Sequence, residues 1–399
     1  MYKRQVLLCV FAAILASTTA VKLAPLYAAD SPTAIDGEYV VVLKEELSDS
    51  DVRGHMAAVR QLFSNRGNHS EVMSEYHIGS FRGYGARMSD KMLAVVRSIS
   101  HVKYVECAQV YKTLADCDLQ AGATWGLVRT TERDWPPQDY DYSYEKESGD
   151  GVDVYIIDTG IDITHPDFGG RAVWGFDAVD TPSRKTDGNG HGTHVAGTVM
   201  SNTYGLAKKA TSVAVRVLND NGSGTTNGVI EGVDWVAKQH TSGKKSVANM
   251  SLGGGKSTAL NSAVNSAVDA GVHFAIAAGN ENQNGCNVSP GSAEKCVDVG
   301  ATDSTDRRSS FSNWGDCLDV FAPGSSITST WKGGGTNTIS GTSMAAPHVA
   351  GVIAKYLSEM PASTTPAQML ELIKSTATKD KVVNANTGSP NLLLFKDCA

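Results

Sequence analysis

The chain has 399 residues, with 35 Lys+Arg against 42 Asp+Glu and a formal charge of -7. That length exceeds the roughly 250 to 300 residues at which a single core stops growing, so it predicts a large domain with a smaller companion. The negative balance and the lack of a basic stripe exclude the electrostatic footprint of a nucleic-acid binder.

Residues 1–20 read as an export signal: Lys3 and Arg4, an apolar run from Val6 to Ala16, then Thr18-Thr19-Ala20 as a small-residue cleavage site. The run is shorter than the roughly 20 residues of a spanning helix, and no other stretch is long and apolar enough. The expectation is a secreted chain without a membrane anchor. Residues 21–114 form the next segment, folded from about Asp36 to Tyr111. It reads as α+β: strands at Tyr39 to Lys44, Gly83 to Arg87 and Val102 to Glu106, with helices at Ser48 to Arg66 and Asp90 to Ile99.

From Gly151 onward strands alternate with helices. Apolar, β-branched runs at Gly151 to Ile157, Ser212 to Leu218, Val247 to Leu252, His273 to Ala278 and Val297 to Gly300 predict strands. Helical patterns lie between or after them at His191 to Met200, Thr226 to Lys238, Ser257 to Ala270 and Thr342 to Glu359. The alternation predicts a mainly parallel sheet covered on both faces, with ligands beyond the strands' carboxyl ends. Asp158 and Asn280 each follow a predicted strand and fall at that end.

Three strings carry the chemistry, in the order acid, base, nucleophile: Asp158-Thr159-Gly160, His191-Gly192-Thr193-His194 and Gly341-Thr342-Ser343-Met344-Ala345-Ala346-Pro347. A serine hydroxyl needs an adjacent base, itself oriented by a third group. Ser343 lies where a glycine-rich stretch meets an apolar helix, with Pro347 expected in the first turn. Taken singly, Ser343 serves equally as an N-cap and Asp158 as a turn residue. His191 and His194, three apart on one helix face, are both offered as base by spacing. A zinc pair lacks the Glu of His-Glu-x-x-His and a third ligand. A lipase-like reading lacks the second glycine of Gly-x-Ser-x-Gly.

Together the strings resemble the subtilisin-like serine proteases, in their proteinase K branch. The resemblance implies the three-layer α/β fold of that family over 115–399, preceded by an inhibitory α+β prosegment. It selects His191 as general base, oriented by Asp158, and leaves His194 structural. Asn280, in Ala277-Ala278-Gly279-Asn280, matches the family's oxyanion-hole donor. Ser251, Leu252 and Gly253, with Gly222, Ser223 and Gly224, match the edge segments between which an extended peptide lies. With no charge in the pocket segments, broad and apolar-leaning specificity is expected. Asp319 matches a structural calcium ligand, with the carbonyls of Ala293 and Lys295 beside it, and no catalytic cofactor is expected. The implied partners are protein and peptide substrates and the chain's own prosegment, in a monomer cleaved between Tyr111 and Asp118.

Of seven cysteines, Cys9 falls in the signal and Cys107 in the prosegment. The remaining five, Cys117, Cys286, Cys296, Cys317 and Cys398, predict two disulfides and one leftover thiol, with connectivity open. The resemblance pairs Cys286 with Cys317 and gives Cys296 no partner. The branch's cysteines before the Asp158 strand and in the helix after Ser343 are missing here. Asn68, Asn221 and Asn287 head glycosylation sequons.

Overall fold

The computed structural model describes residues 23–29, 31, 34–64, 70–109, 117–137, 139–180 and 183–398. The expected export signal, Asn68 and most of the expected cleavage region lie outside these residues. The chain divides into two compact units between Thr113 and Leu114.

The small unit is α+β. Its strands are β1 (Leu26–Tyr27), β2 (Ala34–Leu43), β3 (Glu71–Ile78), β4 (Phe81–Arg87) and β5 (Val102–Gln109), with helices α1 (Asp49–Ser64) and α2 (Asp90–Arg97). The sheet runs β1-β5-β2-β4-β3, antiparallel except for β1 on β5. Val41 and Leu43 of β2, Met56, Val59 and Phe63 of α1, and Met92 and Val96 of α2 share one core. Sequence reading passed over β3. Its burial alternates poorly because it is an edge strand with mostly exposed residues.

The large unit opens with β6 (Cys117–Gln120), α3 (Trp125–Arg129) and β7 (Tyr142–Glu145). It continues with β8 (Val152–Asp158), β9 (Ala172–Asp177), α4 (His191–Met200), β10 (Thr211–Arg216), α5 (Thr226–Gln239) and β11 (Lys245–Met250). Then come β12 (Gly254–Gly255), α6 (Thr258–Asp269), β13 (His273–Ala277), β14 (Val288–Ser289), β15 (Val297–Thr302) and β16 (Val320–Pro323). The hairpin β17 (Ile327–Trp331) and β18 (Gly335–Ile339) precedes α7 (Thr342–Glu359), α8 (Pro366–Thr376), β19 (Thr378–Lys379) and β20 (Leu392–Leu393). The main sheet has the order β19-β20-β16-β15-β13-β11-β8-β10-β9 and is parallel except for β19 against β20.

Successive strand residues face opposite sides, and the packing follows that period. In β8, Val152, Val154 and Ile156 join the core of α4 and α7. Tyr155 and Ile157 join that of α5 and α6. In β13, Ala275 and Ala277 take the first side, Phe274 and Ile276 the second. The sheet is thus the middle of three layers, the expected subtilisin-like arrangement.

Candidate active site

At the carboxyl end of β8, Asp158 continues the series Val152, Val154, Ile156 and so faces the α4 side. Its side chain is fully buried, and Oδ1 accepts the Thr159 amide at 2.7 Å. His191 is the first residue of α4, entered through Gly190 at φ 106°, where a Cβ would be strained. The ring Nδ1 lies 2.8 and 3.0 Å from Asp158 Oδ1 and Oδ2. Burial alone would lower the His191 pKa; the attraction and hydrogen bond of Asp158, with a further pull from Asp187, outweigh it and set it above 6.5. The other histidine, His194, is buried with Nε2 3.0 Å from the Ile327 carbonyl. Burial takes its pKa down to about 4, so it stays neutral.

Ser343 is the second residue of α7. A helix leaves its first N–H groups without intrahelical acceptors. Here the Thr342 N–H donates to Asn280 Oδ1 at 2.8 Å and the Met344 N–H to the Gly341 carbonyl at 3.0 Å. The Ser343 N–H stays unengaged among the described residues. Asn280 Oδ1 also accepts the Thr342 hydroxyl at 3.0 Å, which fixes the amide and leaves Nδ2 as a free donor on the Ser343 side. The Ser343 hydroxyl donates to the Ser251 carbonyl at 3.2 Å. The structure therefore joins Asp158 to His191 by hydrogen bonds and holds the Ser343 hydroxyl on Ser251; no hydrogen bond links Ser343 to His191 among the described residues.

Pro347 departs from expectation. It occupies the sixth position of α7 rather than the first turn. Lacking an N–H, it frees the carbonyl four residues back, which is that of Ser343, and the Ser251 hydroxyl donates to that oxygen at 2.8 Å. Ser251 thus engages Ser343 twice, a contact that its position in a pocket segment did not reveal.

The expected peptide-binding segments line one cleft of about 580 Å³, with Gly222, Ser223 and Gly224 on one side and Ser251, Leu252 and Gly253 on another, beside His191. Asn219 shapes the first side: its Oδ1 accepts the amides of Asn221 and Ser223, and its own amide donates to the Ser223 carbonyl. Beyond Gly253, Gly254 and Gly255 pair with Val288 and Ser289 as a short antiparallel ladder.

Asp319 lies away from that cleft, just before β16. Its Oδ2 accepts the Asp298 amide at 3.0 Å and its Oδ1 is 3.4 Å from Lys374 Nζ. Asp298 is buried with both carboxyl oxygens lacking a hydrogen-bond partner. Burial, then the neighbouring Asp319, push its pKa well up. A raised pKa favours the neutral acid at Asp298, and the Asp319 carboxylate has Lys374 as its cationic neighbour. Among the described residues no group of three or more His, Cys, Asp or Glu could hold a metal ion.

Two disulfides are present, Cys117 to Cys398 and Cys286 to Cys317. Cys296 is a buried thiol whose pKa burial raises well above the ordinary range, and its Sγ donates to the Ala293 carbonyl at 3.1 Å.

The signature of the subtilase family matches residues 149–391, and that of the peptidase inhibitor I9 family matches residues 38–114. The chain belongs to the subtilase family. This subtilase is 44% identical over 389 residues to an "Extracellular serine proteinase" of Thermus sp. (strain Rt41A), covering 93% of this chain and 92% of that one. It is 44% identical to a "Cuticle-degrading serine protease" of Arthrobotrys oligospora, covering 92% of each. Among solved structures it resembles a cold-adapted subtilisin-like serine proteinase, with a TM-score of 0.67, 52% identity, 70% of this chain covered and 100% of the other. The subtilase is therefore a serine protease carrying an I9-type prosegment, the organisation of a zymogen. Among the described residues no helix is long and apolar enough to cross a membrane.

Proposed function

We propose that the chain is a secreted, monomeric serine endopeptidase that frees itself from its prosegment. In this reading residues 1–20 direct export, 21–114 are removed, and 115–399 are the mature enzyme. Ser343 attacks the peptide carbonyl, His191 takes the proton and returns it to the leaving amine, and water hydrolyses the acyl-enzyme. Asp158 holds the ring with Nδ1–H toward itself and stabilises the imidazolium. The Asn280 Nδ2 and Ser343 N–H groups receive the oxyanion. The observation that carries this reading is the buried Asp158–His191 contact at 2.8 Å next to those two unengaged donors. To reach His191, the Ser343 hydroxyl must leave the Ser251 carbonyl, as catalytic hydrogen bonds often tighten only with substrate bound.

An uncharged cleft edged by glycines and by Leu218, Leu252 and Leu260 supports broad specificity for apolar side chains. The prosegment's C-terminal tail would lie in that cleft until cleavage, and neither nucleic acid nor a membrane anchor has a part in this reading. A structural calcium ion belongs to the same reading, held by Asp319 and carbonyl oxygens. Chelation should then lower the melting temperature of the mature enzyme, with recovery on adding calcium and none on adding magnesium.

The test is to express the precursor beside its Ser343→Ala form, assay casein hydrolysis with and without phenylmethylsulfonyl fluoride, and map the new N-terminus. Fluoride-sensitive activity with a new N-terminus near Ala115, both lost in the variant, is the expected result. A folded, processed wild type without activity would sink the proposal. Replacing Asn280 by Ala should lower turnover by about 100- to 1000-fold with little change in KM.

A further inference from the structure

One buried carboxylate near the site has no part in the chemistry above. Asp187 precedes His191 by four residues and is only 3% exposed. Its Oδ1 accepts the Thr159 hydroxyl at 2.8 Å, the Asn189 amide at 3.1 Å and the Gly190 amide at 2.8 Å. Its Oδ2 accepts the Thr193 amide at 2.9 Å and the Thr193 hydroxyl at 2.6 Å. The Thr159 hydroxyl, while donating to Asp187, accepts the Gly192 amide at 3.0 Å.

These bonds join two elements. Thr159 is the neighbour of Asp158 at the end of β8, whereas Gly190, Gly192 and Thr193 form the first turn of α4, which carries His191 at its start. Gly190 offers α4 no capping side chain. Asp187 supplies that cap from outside the helix, placing negative charge where the helix dipole favours it. Burying a carboxylate without a cation is costly, and among the described residues no Lys or Arg pairs with Asp187. The cation that its charge can serve is the imidazolium that forms on His191 during turnover.

We propose that Asp187 is a positioning residue for peptide hydrolysis: its carboxylate locks the strand end bearing Asp158 to the helix start bearing His191 and sets the field at the ring. This inference rests on the reading of Asp158 and His191 as the acid–base pair. The groups that titrate around the His191 ring are Asp158 from β8, Asp187 from the preceding loop and, on its own helix, His194, which stays neutral. Both carboxylates raise the His191 pKa, so removing one lowers it.

The experiment uses the full-length protein, self-processed, with active sites counted by sulfonyl fluoride titration so that misfolded material drops out. Hydrolysis of a succinyl-tetrapeptide p-nitroanilide is measured from pH 5 to 10 for wild type, Asp187→Asn and Asp187→Glu. Thr159→Val, which deletes only one hydroxyl, completes the set. For Asp187→Asn the expectation is kcat lower by about 10- to 100-fold per titrated site, with KM within about two-fold, since small misplacements of reacting groups act on turnover. Its acid limb should move to lower pH, and Asp187→Glu should restore the limb toward wild type. If Asp187→Asn yields no titratable enzyme, Thr159→Val decides, with kcat lower by about 10-fold at unchanged KM expected. A kcat within two-fold of wild type in the deciding variant, or a fall in the Asp187→Asn kcat with its acid limb unmoved, overturns the inference. Retention of activity in Ser343→Ala or His191→Ala would instead overturn the triad reading, so the two failures are told apart.

Discussion

The two units of this subtilase are held together by different means. In the small unit each of the ion pairs found among the described residues leaves at least one partner open to water, as in Arg60 with Glu75 and Lys103 with Glu45. One hydrophobic cluster serves as its core. The large unit has two main clusters, one on each face of its sheet, and both disulfides. It also buries charged pairs: Arg129 with Asp306, Arg216 with Asp177, and Lys355 with Glu145 at 2.8 Å. Exposed pairs contribute little, whereas a buried pair broken on one side is strongly destabilising. The part proposed to be discarded thus has the marginal stability of a small domain, and the part proposed to persist in a proteolytic medium is cross-linked.

The widest test of that contrast begins with Ser343→Ala. It should lower turnover on the order of a million-fold, as expected when a triad acts as a unit, and so keep both units in one chain. Scanning calorimetry of that precursor should then show two transitions, the small unit melting first. A single transition would break the comparison. Next in size is Cys117→Ser. Closing a loop across the sequence separation of 281 residues is worth on the order of 5 kcal/mol in the chain-entropy account. The variant should lower the second transition and leave the first in place. For Cys286→Ser, with a separation of 31, the same account gives about 4 kcal/mol.

Acid sharpens the contrast through histidines. Burial lowers His194, His273 and His348 in the large unit to about 4, and His55 in the small unit to about 4. A pKa depressed on folding means that the unfolded chain binds the proton first, so stability is full above 6.5 and is lost as pH falls toward 4. With His240 of the large unit also lowered by burial, this predicts a steeper histidine contribution for the large unit than for the small one, read from melting temperatures at pH 6.5, 5.5 and 4.5. His191 runs the other way and above this window: with its pKa raised, its contribution is full below 6.5 and is lost as pH rises through the folded value. Smallest of all, Lys103→Ala in the small unit should leave its melting temperature unchanged within error, since that pair is exposed.

Much of the large unit was legible because its central strands are apolar on both faces and its helices have clear periodicity. Observed β8, β11 and β13 lie within two or three residues of the expected runs. What escaped lacks that signal. β18 sits in a glycine-rich stretch, and β17 and β16 span only five and four residues. Helix α8 is the exception, since it carried a start signal of another kind, a capping box from Thr365 to Gln368 with Pro366 at the first helical position. At the site, the residues within the three strings could be read directly, whereas their supports could not. Asp187 lies in a loop whose hydrogen bonds are set by the fold, and the Ser251 hydroxyl finds an acceptor at Ser343 because Pro347 frees that carbonyl. Cys117 and Cys398 gave no spacing from which a pairing could be deduced.

That pairing changes how the enzyme would meet its own kind. At working concentration a protease is surrounded by copies of itself, and every exposed loop is a target. With residues 117 and 398 covalently joined, a single cut anywhere between them leaves both pieces attached to one another. Self-digestion then becomes a two-hit process, in which a nicked molecule sheds nothing until a second bond is broken or the disulfide is reduced.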